Sequence, residues 1–200
     1  MRPMMSSAAA MLCLAGCTVL PIKEARALRE RQQGHSDARR YVATVWPGRA
    51  RDGFFARAVP LADIRAGALD TIGRSKGHRA GEGSPWAFVV RGRGVVSAVE
   101  MQNPAGRITL ETGQGPVVLQ TGLVIAGTAI RDAIPAIAFD DFPDQIAFAE
   151  TGMALTDRAM VPLRPLLARL RPGDSIAFVG AASIADTRAP VLVTPVEITR

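Results

Sequence analysis

The chain has 200 residues, 48% of them hydrophobic and 21% charged, which excludes a disordered tract and fits a single globular domain. Its two cysteines exclude a disulfide framework and a multi-cysteine zinc site. The net charge of +6 invites a nucleic-acid reading, but the positive charge is scattered arginine, with Lys23 and Lys76 the only lysines. On a strand pattern, basic residues stand beside aromatics only where Arg91 and Arg93 follow Trp86 and Phe88, so nucleic acid is not an expected partner.

In chain order, Arg2 is followed by an apolar run from Met4 to Leu14. The run is too short for a membrane-spanning helix, which needs ~20 residues, and suits the hydrophobic region of a signal peptide. Leu14-Ala15-Gly16-Cys17 comes next and resembles the lipobox of bacterial lipoproteins: small residues enter a signal peptidase, and the thiol accepts a lipid. The expected organisation is a signal peptide over 1–16, a lipidated tether over 17–22, and one domain over 23–200. Cys17 would carry a diacylglycerol and an N-acyl chain such as palmitate, and several acyl chains on one residue anchor stably. No other cofactor is expected. Thr18 after the cysteine, where Asp would favour the inner membrane in enterobacteria, leans the expected address toward the outer membrane, facing the periplasm.

Lys23 to Gln33 favours helix, ended by Gly34. Glu24 and Glu30 intersperse Arg26, Arg29 and Arg31, which favours a solvated helix face over a headgroup-binding one. Ser36 or Asp37 can cap a second helix with Tyr41, Val42, Val45 and Trp46 on its apolar face, stopped by Pro47-Gly48. Phe54, Phe55, Ala58 and Val59 suggest a short helical turn. Leu61, Ile64, Ala68 and Ile72 repeat at helical intervals, with Gly67 as a weak point. Gly73 to Pro85 reads as a loop.

At Trp86 the period changes to alternation. Trp86–Arg91 and Val95–Met101 read as strands joined by a turn at Gly92-Arg93-Gly94; Arg107–Glu111 and Val117–Thr121 follow. Thr128 can cap one helical turn through Ile130 and Arg131. Asp140 or Asp141 can cap a longer helix with Ile146, Ala149 and Met153 facing inward. Ile176–Ser183 and Val191–Ile198 close the chain, and Pro195 marks an edge or a bulge. The expected class is α+β, mainly β: a small antiparallel OB-like barrel, preceded by a helical layer and holding a helical insertion before its last two strands.

Catalytic signatures are missing from this sequence. His35 and His78 are its only histidines, and Ser84 lacks the context of a nucleophile elbow. Asp140, Asp141 and Asp144 could hold a cation, but acids gathered at a helix start are expected to cap it. No catalytic residue and no metal ligand is therefore assigned, and whether the protein is an enzyme stays open, with the balance against it.

Gly81-Glu82-Gly83-Ser84-Pro85-Trp86, the run Gly127 to Pro135, Phe139-Asp140-Asp141-Phe142 with Gln145-Ile146, and Val191 to Val196 together resemble a family of predicted periplasmic lipoproteins (domain of unknown function 2291). The resemblance implies an OB-like barrel and frequent genetic association with sugar ABC transporters. It implies no catalytic residues. The leading expectation is a non-enzymatic accessory to sugar or small-solute uptake, whose partner is a transporter component or a solute. Glu82, Ser84, Arg131, Asp132, Asp140, Asp141 and Gln145 would form one polar surface, so Arg131→Ala or Asp140→Ala should impair uptake without unfolding the domain. The alternatives are a stand-alone OB domain for small molecules or oligosaccharides and, further off, a metal-assisted hydrolase.

Overall fold

One long strand organises the domain in the computed structural model, which describes residues 21–34, 37–79 and 81–200. The expected signal segment, Cys13, Cys17, His35 and Ser36 lie outside the described residues. Strand β2 (Trp86–Glu100) follows the two-residue β1 (Val59–Pro60) and runs for 15 residues straight through the expected turn at Gly92-Arg93-Gly94. Its first part pairs antiparallel with β5 (Ser175–Ile184) and its last part with β3 (Arg107–Glu111). The two glycines make this continuous path possible. A Cβ on Gly92 would come within 2.7 Å of the Phe178 ring, and one on Gly94 within 2.7 Å of the Glu111 carbonyl oxygen. In a strand, glycines mark close approaches as readily as turns.

The sheet closes in the order β2–β3–β4–β6–β5–β2, with β4 at Val117–Gln120 and β6 at Val191–Thr199. All the closing pairs are antiparallel except β4–β6, which is parallel. The exception follows from the chain path. Three helices lie between β4 and β5, β5 lands beside β2, and β6 returns antiparallel to β5, hence parallel to β4. Pro195 sits opposite Gly180 at the register shift between Val179 and Gly180, which is the expected bulge. β1 adds a short parallel edge against Val90 and Arg91, where a helical turn was expected to include Val59.

Helix α1 spans Ile22–Gly34 and α2 Ala38–Val45. Asp37 caps α2 by accepting the Arg40 backbone N–H at 3.0 Å. Pro47 and Gly48 leave helical geometry, Gly48 with φ +113°, and α3 (Arg51–Ala56) starts in a new direction. The expected helix from Leu61 to Ile72 is two, α4 (Leu61–Ala66) and α5 (Leu69–Lys76), parted at Gly67. α5 runs into the expected loop. After β4 come α6 (Ala129–Asp132), α7 (Gln145–Met160) and α8 (Arg164–Leu167).

α7 departs most from expectation. Its cap is Asp144, whose Oδ1 accepts the Ala147 N–H at 2.8 Å, while Asp140 and Asp141 belong to a preceding 3-10 turn, Phe139–Asp141. The helix is also turned around: Ile146, Ala149 and Met153 point outward, and Ala147, Thr151, Gly152, Leu155 and Ala159 are buried. Small side chains let α7 lie close to its neighbours, so that a Cβ on Gly152 would meet Thr128 Cγ2 at 2.8 Å. The hydroxyls of buried Thr151 and Thr156 donate to the carbonyls of Ala147 and Gly152 one turn back, which removes the cost of burying them.

Two cores result. Phe88, Val90, Ile108, Leu110, Leu119 and Val193 fill the barrel. Ala87 and Val89, the alternate residues of β2, face outward into a second core with Val42, Trp46, Phe54 and Leu155 under the helices. Both faces of β2 are thus buried, and the helices cover one wall of the barrel.

Candidate functional site

The expected polar surface divides into places with different jobs. Arg131 is 8% exposed and fully engaged within the domain. Its Nε and Nη2 donate to Asp132 Oδ1 at 2.9 and 2.7 Å, Nη2 also to Thr128 Oγ1 at 3.1 Å, and Nη1 to the Phe148 carbonyl at 3.0 Å. The guanidinium stacks on the Phe148 ring at 3.7 Å from its centroid. Thr128 in turn donates to Asp132 Oδ2 at 2.7 Å. This closed network joins α6 to α7, and neither Arg131 nor Asp132 is offered to a solute.

Glu82 and Ser84 lie on the 81–85 turn, with Gly83 at φ +80°. Ser84 borders a shallow depression of about 420 Å³ with Asp70, Arg79 and Trp86, while Glu82 points into solvent. The Trp86 indole N–H and Arg79 Nη2 both donate to Asp70 Oδ1 at 3.0 Å, and the Arg79 guanidinium lies 3.9 Å from the indole centroid. Gly73 supports the other side of the indole, where any Cβ would overlap the ring. The Trp86 hydrogen bond, and then the Arg79 and Arg74 cations, hold the Asp70 carboxyl below the usual range. His78 ties the two segments together. It bridges Ala87 through the backbone, and its Nδ1 stands 2.8 Å from the Asp132 carbonyl, so Nδ1 carries a proton.

Asp140 and Gln145 are exposed beside the start of α7, and α1 packs against the 139–141 turn. Burial first, and then the Asp141 charge, raises the pKa of the Tyr41 phenol. Among the described residues, no group of three or more His, Cys, Asp or Glu side chains is placed to hold a metal ion.

Reasoning from the sequence missed a wall of exposed apolar residues. Leu123 (75% exposed) and Val124, after β4, share a groove of about 310 Å³ with Met153 (61% exposed) and Met160 of α7. Ile146 lies two turns before Met153 on the same helix face, also exposed. Arg164 of α8 borders this groove and the next one, without a side-chain partner among the described residues and with its Nε buried. The sequence signal was present: Ile146 and Met153 form a helical stripe, but the inward assignment gave them to the core.

Closed order, one parallel pair among the closing strands and a helix between the third and fourth barrel strands define an OB-fold protein. An OB-fold protein from Thermotoga maritima shares this fold with a TM-score of 0.62 at 15% identity, over 82% of this chain and 97% of that one. The family model "Predicted periplasmic lipoprotein (DUF2291)" matches residues 7–199, and the chain belongs to that family. Family membership indicates the cell envelope and membrane association through a lipid anchor. No curated protein matches the sequence. No helix among the described residues is long and apolar enough to cross a membrane.

Proposed function

We propose that the protein is a non-enzymatic, lipid-anchored accessory to sugar or small-solute ABC uptake, docking a transporter component on the wall formed by Leu123, Val124, Ile146 and Met153. The anchor is the lipid on Cys17, and the domain faces the periplasm. The stretch from Cys17 to Ile22 reaches at most about 18 Å, so α1, with Lys23, Arg26 and Arg29 exposed, stays near the membrane surface.

The exposed apolar wall carries this reading. Contiguous apolar surface rimmed by polar residues is the usual mark of a protein interface, and Arg164, without a side-chain partner among the described residues, offers it a cation for an acidic group of the partner. The stand-alone oligosaccharide reading is weaker on this fold. OB domains customarily bind such ligands across their second and third strands, and here the outward positions are Arg107, Thr109, Glu111 and Val118. None is aromatic, so that face offers no ring for stacking sugars or bases.

Cells carrying Leu123→Glu with Met153→Glu should lose uptake of labelled solute at unchanged protein level, and Thr109→Ala should not. Normal uptake in the double variant would refute the docking wall. Cys17→Ala should release the protein from membranes and abolish lipid labelling; a variant that stays labelled would refute the anchor.

A further inference from the structure

A second concavity lies away from the docking wall, between α2, α3 and the turn 133–137. It measures about 480 Å³, within the size range of small-molecule sites. Its existence follows from the backbone. Pro47 and Gly48 break the helical path, so α3 diverges from α2 and the gap between them is not closed by side chains. Buried Phe54, Ile134 and Ile137 form the deep part, with Val45, Pro47 and Pro135 as walls.

Arg57, the residue that ends α3, is the one charged side chain among the lining residues. It is poorly satisfied. Its Nη2 reaches the Lys76 and Gly77 carbonyls at 3.4 Å each, and its Nε is buried with no acceptor. No carboxylate among the described residues pairs with it. Arg65 and Arg79 also bury an unpartnered Nε, but each has a short bond elsewhere, to the Pro116 carbonyl at 2.9 Å and to Asp70 at 3.0 Å. Thr44, another polar group of the lining, spends its hydroxyl on the Arg40 carbonyl. A half-buried guanidinium with spare donors, at the edge of an apolar cavity, lacks a planar anionic acceptor.

From this geometry we infer that the cleft binds a small organic acid: a single carboxylate received by Arg57 and an apolar body seated against Phe54, Ile134 and Ile137. A guanidinium matches a carboxylate with two parallel hydrogen bonds, and apolar walls contribute by removing the ligand's hydrocarbon from water. A sugar fits poorly, because most of its hydroxyls would face carbon. This site is independent of the docking wall.

The test is calorimetric titration of the purified full-length protein with straight-chain carboxylates of four to ten carbons, with 3-phenylpropionate, and with the matching amides. At least one carboxylate should bind, with its amide weaker by about tenfold or more, as loss of a charge-assisted pair requires. Arg57→Gln should weaken carboxylate binding by a similar factor and leave amide binding unchanged. Ala136→Trp, at an exposed position of the lining, should abolish both without the loss of a core contact. Leu123→Glu with Met153→Glu should bind as the parent does. The inference fails if no acid in the panel binds, if amide and acid bind equally, or if both cleft variants fold and bind as the parent does.

Discussion

Replacing Arg131 by Ala tests most sharply how the 127–148 region works, because the structure reverses the expectation for that variant. The substitution removes two hydrogen bonds to Asp132, one to Thr128 and one to the Phe148 carbonyl, together with the stack on the Phe148 ring. Asp132, whose side chain is 17% exposed, keeps the Thr128 hydroxyl as its one side-chain donor. Breaking a fully buried ion pair costs about 3–5 kcal/mol. The retained hydroxyl and partial exposure place this one near the lower end, and the lost cation–π contact adds ~0.5–2 kcal/mol. We expect a loss of about 3–4 kcal/mol, a large share of a typical stability of ~5–15 kcal/mol. Urea unfolding followed by the fluorescence of Trp46 and Trp86 reads it directly. Arg131→Lys, which keeps the charge but not the fork, should cost about 1–2 kcal/mol, and a double-mutant cycle with Asp132→Ala should give coupling of about 1–3 kcal/mol. A loss under about 1 kcal/mol for Arg131→Ala would refute the network. With the expected loss of about 3–4 kcal/mol, an uptake defect in this variant would report a damaged fold, not a lost solute contact.

Two glycines should respond with opposite signs. Gly152→Ala drives a methyl into Thr128 and should destabilise by about 1–3 kcal/mol, with Thr128→Ser recovering part of the loss; equal stability of Gly152→Ala and the parent would contradict the close approach of α7. Gly53→Ala meets nothing within 4 Å inside α3 and should stabilise by about 0.5–1 kcal/mol in the same assay. Asp70, whose carboxyl is held low by Trp86 and the nearby arginines, gives a pH signature. Because its folded pKa lies below the unfolded one, its contribution is present above the unfolded value near 3.9 and is lost as pH falls through the folded one. Trp86 emission should therefore hold steady through the ordinary aspartate range and change only at lower pH, and Asp70→Asn should remove that change.

Local signals were legible in the sequence and contacts across the chain were not. Asp37 was readable as a cap, because capping needs only neighbours three residues away. Alternation in Ile108 and Leu110 showed the inward face of β3, and Pro195 announced its bulge. Gly92 and Gly94 misled because a turn and a close approach call for the same residue, and the partners that decide lie elsewhere in the chain, Phe178 for Gly92 and the Glu111 carbonyl for Gly94. α7 misled for a related reason. It has two stripes at helical spacing, and the more hydrophobic one, Ile146 and Met153, is exposed, because the buried side needs small residues more than apolar ones. Arg131-Asp132 beside Thr128 was readable as a local ion pair in a turn, but the arrival of Phe148, which closes the network and withdraws the pair from the expected polar surface, was not. The Arg57 cleft left no sequence signal, since it forms where α2 and α3 meet the 133–137 turn.

The central claim is that this envelope lipoprotein works by docking through the wall beside α7. A photo-crosslinking residue placed at Met153 in living cells, with Thr109 on the outward face of β3 as control, tests that contact with the anchor in place. The account predicts an adduct at Met153 with a subunit of a solute ABC transporter, identified by mass spectrometry, and none at Thr109. The same adducts at both positions, or no transporter subunit at Met153, would contradict it.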